Sequence, residues 1–151
     1  MQIRKIKKQD TQDVKKLIDE IMESEFDKDN HAYAYQDLDN LTEHYGGNRD
    51  VFLVAEKDGK IIGTVAIKED GPHSALLRRI FLRKEYRGKG YGATLLNKAV
   101  EFCFEHNYTN IVFRGSNKMQ NALQLCLKNG FQPKDMLDLG DLKLSILVRN
   151  L

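Results

Sequence analysis

The stretch YRGKGYGATLL, Tyr86 to Leu96, sets three glycines within five positions, places Arg87 and Lys89 among them, and then turns aliphatic. Glycines let a backbone approach a ligand closely and take conformations that a Cβ forbids. If a helix starts at this point, its first N–H groups have no intrahelical partner and carry partial positive charge. With two cationic side chains beside them, these residues have the chemistry to cradle a phosphate or pyrophosphate over positions 88–93.

Three phosphate-binding patterns compete for the same residues. A P-loop needs Ser or Thr directly after a Gly-Lys pair, and here Gly90 follows Gly88-Lys89. The dinucleotide fingerprint Gly-x-Gly-x-x-Gly/Ala is met by Gly88, Gly90 and Ala93, and would make the chain a nucleotide-dependent oxidoreductase that binds NAD. That fingerprint also wants an acidic residue about 20 positions on, at the end of the next strand. The next strand ends in Arg114, and the motif sits mid-chain behind hairpins, so the context argues against it. The third pattern, Arg/Gln-x-x-Gly-x-Gly/Ala, is met by Arg87, Gly90 and Gly92.

Two further groups could move protons. His73, whose ordinary pKa is about 6.5, follows Glu69, Asp70, Gly71 and Pro72, and is either a proton-transfer group or a solvated loop residue. Cys126 is either a reactive thiol or, with Met119, Ala122 and Leu123, part of a buried helical stripe. His31, His44, His73 and His106 are scattered without ligand spacing, so no metal is expected.

The elements that must position these groups follow from periodicity. Residues 2–7 alternate as a short strand, and from Asp10 a helix carries Val14, Leu17, Ile18, Ile21 and Met22 on one stripe. A weaker helix is expected over 36–45. VFLVAEK and KIIGTVAIK flank Asp58-Gly59, the preferred two-residue hairpin turn. A strand from Leu76 to Leu82 feeds the glycine loop, and a helix follows with Leu95, Leu96, Ala99, Val100, Cys103 and Phe104 as its apolar face. Residues 110–115 form a strand, Met119 to Lys128 a helix capped by Gly130, and Phe131 to Leu137 and Leu142 to Arg149 two closing strands. The order β-α-α-β-β-β-α-β-α-β-β has hairpins before a single crossover, which predicts an α/β fold with a mixed sheet.

At 151 residues, 41% hydrophobic and 30% charged, the chain has the size and composition of a single globular domain over 1–151. A net charge of +2 gives no reason to expect a nucleic acid, and the run Arg4, Lys5, Lys7, Lys8 reads as the solvated face of a strand. No apolar run is long enough to span a membrane. The N-terminus lacks a hydrophobic leader and the two cysteines lie in helical patterns, so a cytoplasmic protein without disulfides is expected.

RRIFLRKEYRGKGYGATLL, MQNALQLCLKNGF and FLVAEKDGKIIGTVAI, taken together and in this order, resemble the GNAT superfamily of N-acetyltransferases over essentially the whole chain. The resemblance implies that the fourth and fifth strands splay apart, and that acetyl-CoA is the acyl donor. Its pyrophosphate would meet the main chain of Gly88, Lys89, Gly90, Tyr91, Gly92 and Ala93, with Arg87 opening the loop. Ile80, Phe81 and Leu82 would pair with the pantetheine arm, and Asn121 would contact the cofactor. The implied reaction moves an acetyl group directly to a primary amine of a small molecule or peptide. The alternative is an acyl-CoA-binding module of the same fold with little or no transfer. Two positions depart from the family pattern: Leu76 stands where a Glu base is common, leaving Glu69, Asp70 and His73 as nearby substitutes, and Cys126 stands where a Tyr acid is common. Tyr33, Tyr35, His44 and Tyr45 fall in the region that covers the acceptor in this fold. A homodimer is compatible with the resemblance.

Overall fold

Apolar, β-branched runs build a continuous series of antiparallel strands at the N-terminal side of a computed structural model that describes residues 1–25 and 36–151. These are β1 (Gln2–Lys5), β2 (Val51–Lys57), β3 (Lys60–Asp70) and β4 (Ser74–Leu82). Asp58 and Gly59, at φ 52° and 76°, make the expected tight turn between β2 and β3. β5 (Asn110–Ser116), β6 (Gln132–Leu139) and β7 (Leu142–Asn150) complete one seven-stranded sheet in the order β1-β2-β3-β4-β5-β7-β6. Every neighbouring pair is antiparallel except β4 and β5. The mixed sheet predicted from element order is therefore the one observed.

Helices cover both faces. α1 (Thr11–Glu25) buries Val14, Leu17, Ile18, Ile21 and Met22 against Phe52, Val54, Ala66 and Phe81. On the other face, α3 (Tyr91–Glu105) and α4 (Gln120–Lys128) pack over Val65, Ile67, Ala75, Leu77, Ile111 and Phe113. At about 25 cal/mol per Å² of buried apolar area, these two layers are the main driving force for the fold. Arg4 of the basic N-terminal run binds Asp10 at 2.7 Å and Glu56 at 3.0 Å, pinning β1 to the start of α1.

Two expectations need correction. The helix predicted over 36–45 is a 3-10 turn at Gln36–Asp39 followed by a four-residue helix, α2 (Leu41–His44), because Asn40 breaks the run at φ −139°, ψ 51°. Phe104 is 61% exposed rather than part of the buried face of α3. It lies nine residues beyond Leu95, which at 3.6 residues per turn is half a turn away.

Candidate active site

β4 departs from a regular strand where it meets the site. Ala66 pairs with Arg78 but Thr64 pairs with Phe81, so one extra residue is inserted in β4. Arg79 occupies the bulge with φ 51°, a left-handed conformation rare for a side chain of this size. Its carbonyl accepts from Thr64 Oγ1 at 2.7 Å. Its guanidinium grips the buried Asp37 carboxylate twice, Nε–Oδ2 at 3.0 Å and Nη2–Oδ1 at 2.5 Å, and Tyr45 donates its hydroxyl to Asp37 at 2.6 Å. Burial pushes the Asp37 carboxyl up, yet the hydrogen bonds from Arg79 and Tyr45 and the charges of Arg79 and Arg78 bring it below its usual value. Burial and the bond to Asp37 raise the Tyr45 phenol, which stays neutral.

The bulge resets the alternation of β4. Ala75, Leu77 and Ile80 face the α3 side, whereas Arg78, Arg79 and Phe81 face the α1 side. Phe81 pairs with Thr64, and Arg83 N–H donates to Ile62 O at 2.8 Å, so the polar groups of Ile80 and Leu82 point to the other edge of β4. There the ladder is missing: β4 and β5 pair only from Ser74–Asn110 to Leu76–Val112, and diverge beyond.

That open edge forms one wall of a cleft of about 620 Å³. Of the residues expected from sequence, Ile80, Phe81, Leu82, Arg87, Gly88, Gly90, Gly92, Ala93 and Asn121 line it, whereas Lys89 and Tyr91 point elsewhere. Lys89 lies 5.8 Å from the Tyr86 ring, and the Tyr91 side chain packs on the core. Gly88 and Gly90 have φ of 77° and 84°, which aim their backbone toward the cleft, and Gly90 is the N-cap of α3. Arg87 borders the cleft, but its guanidinium is committed: Nε donates to Leu82 O at 3.0 Å, and both terminal nitrogens bind Glu25.

Sequence reasoning missed part of the wall. Ile21 and Glu25 at the end of α1 line it, as do Gln120, Gln124 and Lys128 of α4 and Lys118 before them. The repeat of four in Gln120, Gln124 and Lys128 marks a polar helix face and was available as a signal. Nothing in the sequence announces the left-handed Arg79.

The proton-transfer candidates are not brought together. His73 is exposed at the start of β4, seven residues before Ile80, which is about 23 Å along a strand. Cys126 is fully buried among the α4 core residues, and burial pushes its thiol up to about 12. His44 is half-buried, with Nε2 inaccessible and unpartnered among the described residues. Tyr33 and Tyr35 lie outside the described residues. Among the described residues no group of His, Cys, Asp and Glu could hold a metal, and no helix is long and apolar enough to cross a membrane.

Residues 14–131 match the acetyltransferase (GNAT) family. N-acetyltransferase 8F1 of Rattus norvegicus is 30% identical over 101 residues, covering 64% of this chain and 46% of that protein, so the chain spans about half the length of such curated relatives. A GNAT-family acetyltransferase from Staphylococcus aureus Mu50 superposes with a TM-score of 0.87 at 24% identity, over 99% of this chain and 98% of the other. A GNAT-family acetyltransferase from Elizabethkingia anophelis, solved with acetyl-CoA bound, superposes with a TM-score of 0.63 at 17% identity, over 74% and 82%. These superpositions show the shared fold.

Proposed function

The chain belongs to the acetyltransferase (GNAT) family, and from that premise we propose that it moves an acetyl group from acetyl-CoA to a primary amine of a small molecule or peptide. The observation that carries this reading is that the unpaired edge of β4 at Ile80–Leu82 and the glycine loop before α3 line one cleft. The residues present fit the donor. Gly88 and Gly90 leave open space where a Cβ would stand, so the loop amides and the start of α3 can hold a pyrophosphate. Ile80 and Leu82 offer strand hydrogen bonds to an extended amide-bearing arm. Asn121 adds a polar side chain at the start of α4.

When bound, acetyl-CoA supplies a thioester whose carbonyl carbon the amine attacks, so that a C–N bond forms, the C–S bond breaks and the sulfur leaves as thiolate. The chain contributes position and dipoles. The bulge fixes where the amides of Ile80 and Leu82 point, and preorganised amides stabilise negative charge on a carbonyl oxygen. Glu25, the one carboxylate among the described residues of the wall, is held by Arg87. We therefore assign the amine proton to solvent, with neither His73 nor Cys126 in a catalytic role. The unpaired, buried Cys103 and Cys126 support a reducing compartment such as the cytoplasm. Exposed Met136, Leu137 and Leu139 on edge strand β6 support pairing with a second copy.

Calorimetric titration with acetyl-CoA, with NAD as control, tests the reading. Micromolar binding of acetyl-CoA alone is expected. Gly90→Asp should abolish it by setting a carboxylate against the pyrophosphate, with an unchanged circular dichroism spectrum checking that the fold survives the strain of a side chain at φ 84°. CoA release on adding amines separates a transferase from a binding module. Absence of acetyl-CoA binding to the unaltered protein would overturn the proposal.

A further inference from the structure

Beyond Leu76 and Val112 the β4–β5 ladder is absent, and the residues that follow flank the split on both faces of the sheet. The last ladder pair is Leu76 with Val112, and two residues further along each strand stand Arg78 and Arg114. Ala75, Leu77, Ile111 and Phe113 are buried on the α3 side. Alternation therefore puts Leu76, Val112 and Arg114 on the opposite face, where Arg78 also reaches toward Asp37. Two guanidiniums thus flank the mouth of the split.

Among the described residues, neither guanidinium has a carboxylate in hydrogen-bonding contact. Arg78 reaches Asp37 only at 4.0 Å, and both oxygens of that carboxylate are already taken by Arg79 and Tyr45. Arg114 is exposed and has no hydrogen bond or ion pair among the described residues. Among the described residues of the sheet, the nearest acid in register on its face is Asp135, across Ile146 and two strands away, about 10 Å. Asp135 Oδ1 accepts from the Met136 N–H. Around the two arginines the face is apolar and incompletely covered: Leu76, Val112, Leu144, Ile146 and Val148 are all half-buried.

Resting on the acyl-transfer reading above, we propose that Arg78 and Arg114 bind a carboxylate of the acceptor, which is an amine that carries both a carboxylate and an apolar body. The carboxylate bridges the two guanidiniums, the apolar part lies along Leu76, Val112 and Ile146, and the amine points into the split. A free amino acid or a small conjugate of one has this chemistry; a simple alkylamine or a polyamine does not, and its charge is repelled.

The test uses product analogues, so that it needs no turnover. N-acetyl-L-leucine and N-acetyl-L-phenylalanine, each beside its amide, are titrated into the protein with and without CoA. The acids should bind about ten- to a hundredfold more tightly than the amides, as charge-assisted bonds to arginine require. Arg114→Gln and Arg78→Gln should each erase most of that preference, with affinity for CoA unchanged. Acids and amides that bind alike, or neither binding at all, would overturn the proposal. So would a preference that survives both substitutions. Failure to bind CoA, read in the same titrations, would instead count against the acyl-transfer reading.

Discussion

Each side chain that could react is defined by its surroundings more than by its type. Cys126 is a cysteine at a position where a proton donor would be useful, yet it is fully buried and its thiol is pushed up to about 12. Cys126→Ala should leave CoA release within about twofold and cost about 1 kcal/mol of stability through the lost packing. A drop in turnover of orders of magnitude with the fold intact would restore the thiol to the mechanism. His73→Gln, measured in the same assay across pH 6 to 9, should leave the profile unchanged. Turnover should simply rise with pH as the free amine becomes available, since an amine of pKa near 10 gains about tenfold per pH unit. A break in the profile that vanishes in the variant would identify His73 as the base.

Among the elements, β4 carries the most consequence. Its bulge holds Arg79 in a conformation that costs about 1–3 kcal/mol and persists only because neighbours fix it. Among them are Thr64, Asp37 and Tyr45, which binds the same Asp37 carboxylate. Asp37→Asn leaves a buried guanidinium short of its counter-charge and should cost about 3–5 kcal/mol, read from denaturant midpoints. The acid dependence has a definite sign. Asp37 titrates below its unfolded value of 3.8, so its stabilisation is complete above that pH and is lost as pH falls through the folded value. Lowering pH from 5 to 3 should therefore weaken the native protein more than it weakens Asp37→Asn. Equal losses would show that the pair is not stabilising. The helices needed no such device: the stripe of α1 was legible as it stands, whereas α2 was overestimated because its few apolar positions do not reveal the break at Asn40.

For the whole molecule, the sheet is well covered toward β1–β4 and thinly covered toward β6. Every residue of β6 is exposed, with Met136 at 61%, Leu137 at 42% and Leu139 at 60%. An antiparallel edge pairing centred on Met136 sets Lys134 opposite Asp138 of a second copy, matching charge as well as apolar surface. Sedimentation at tens of micromolar should give twice the monomer mass, and Leu137→Lys with Leu139→Lys should give the monomer. A monomeric native protein at that concentration would rule out the pairing.

The sequence by itself determined the element order, the mixed sheet, the stripe of α1 and the glycine loop, because each depends on local periodicity or on residues that tolerate unusual φ. About half of the cleft lining was expected, Arg87, Gly88, Gly90, Gly92 and Ala93 from the motif and Ile80, Phe81, Leu82 and Asn121 from the family resemblance. The tertiary structure alone decided where β4 and β5 part, that Arg79 forms a bulge against Asp37, that Arg87 is committed to Glu25, and that Arg78 and Arg114 flank the split. These depend on strand register and on contacts between residues far apart in the chain. Neither shifts a local pattern, so neither can be read from one.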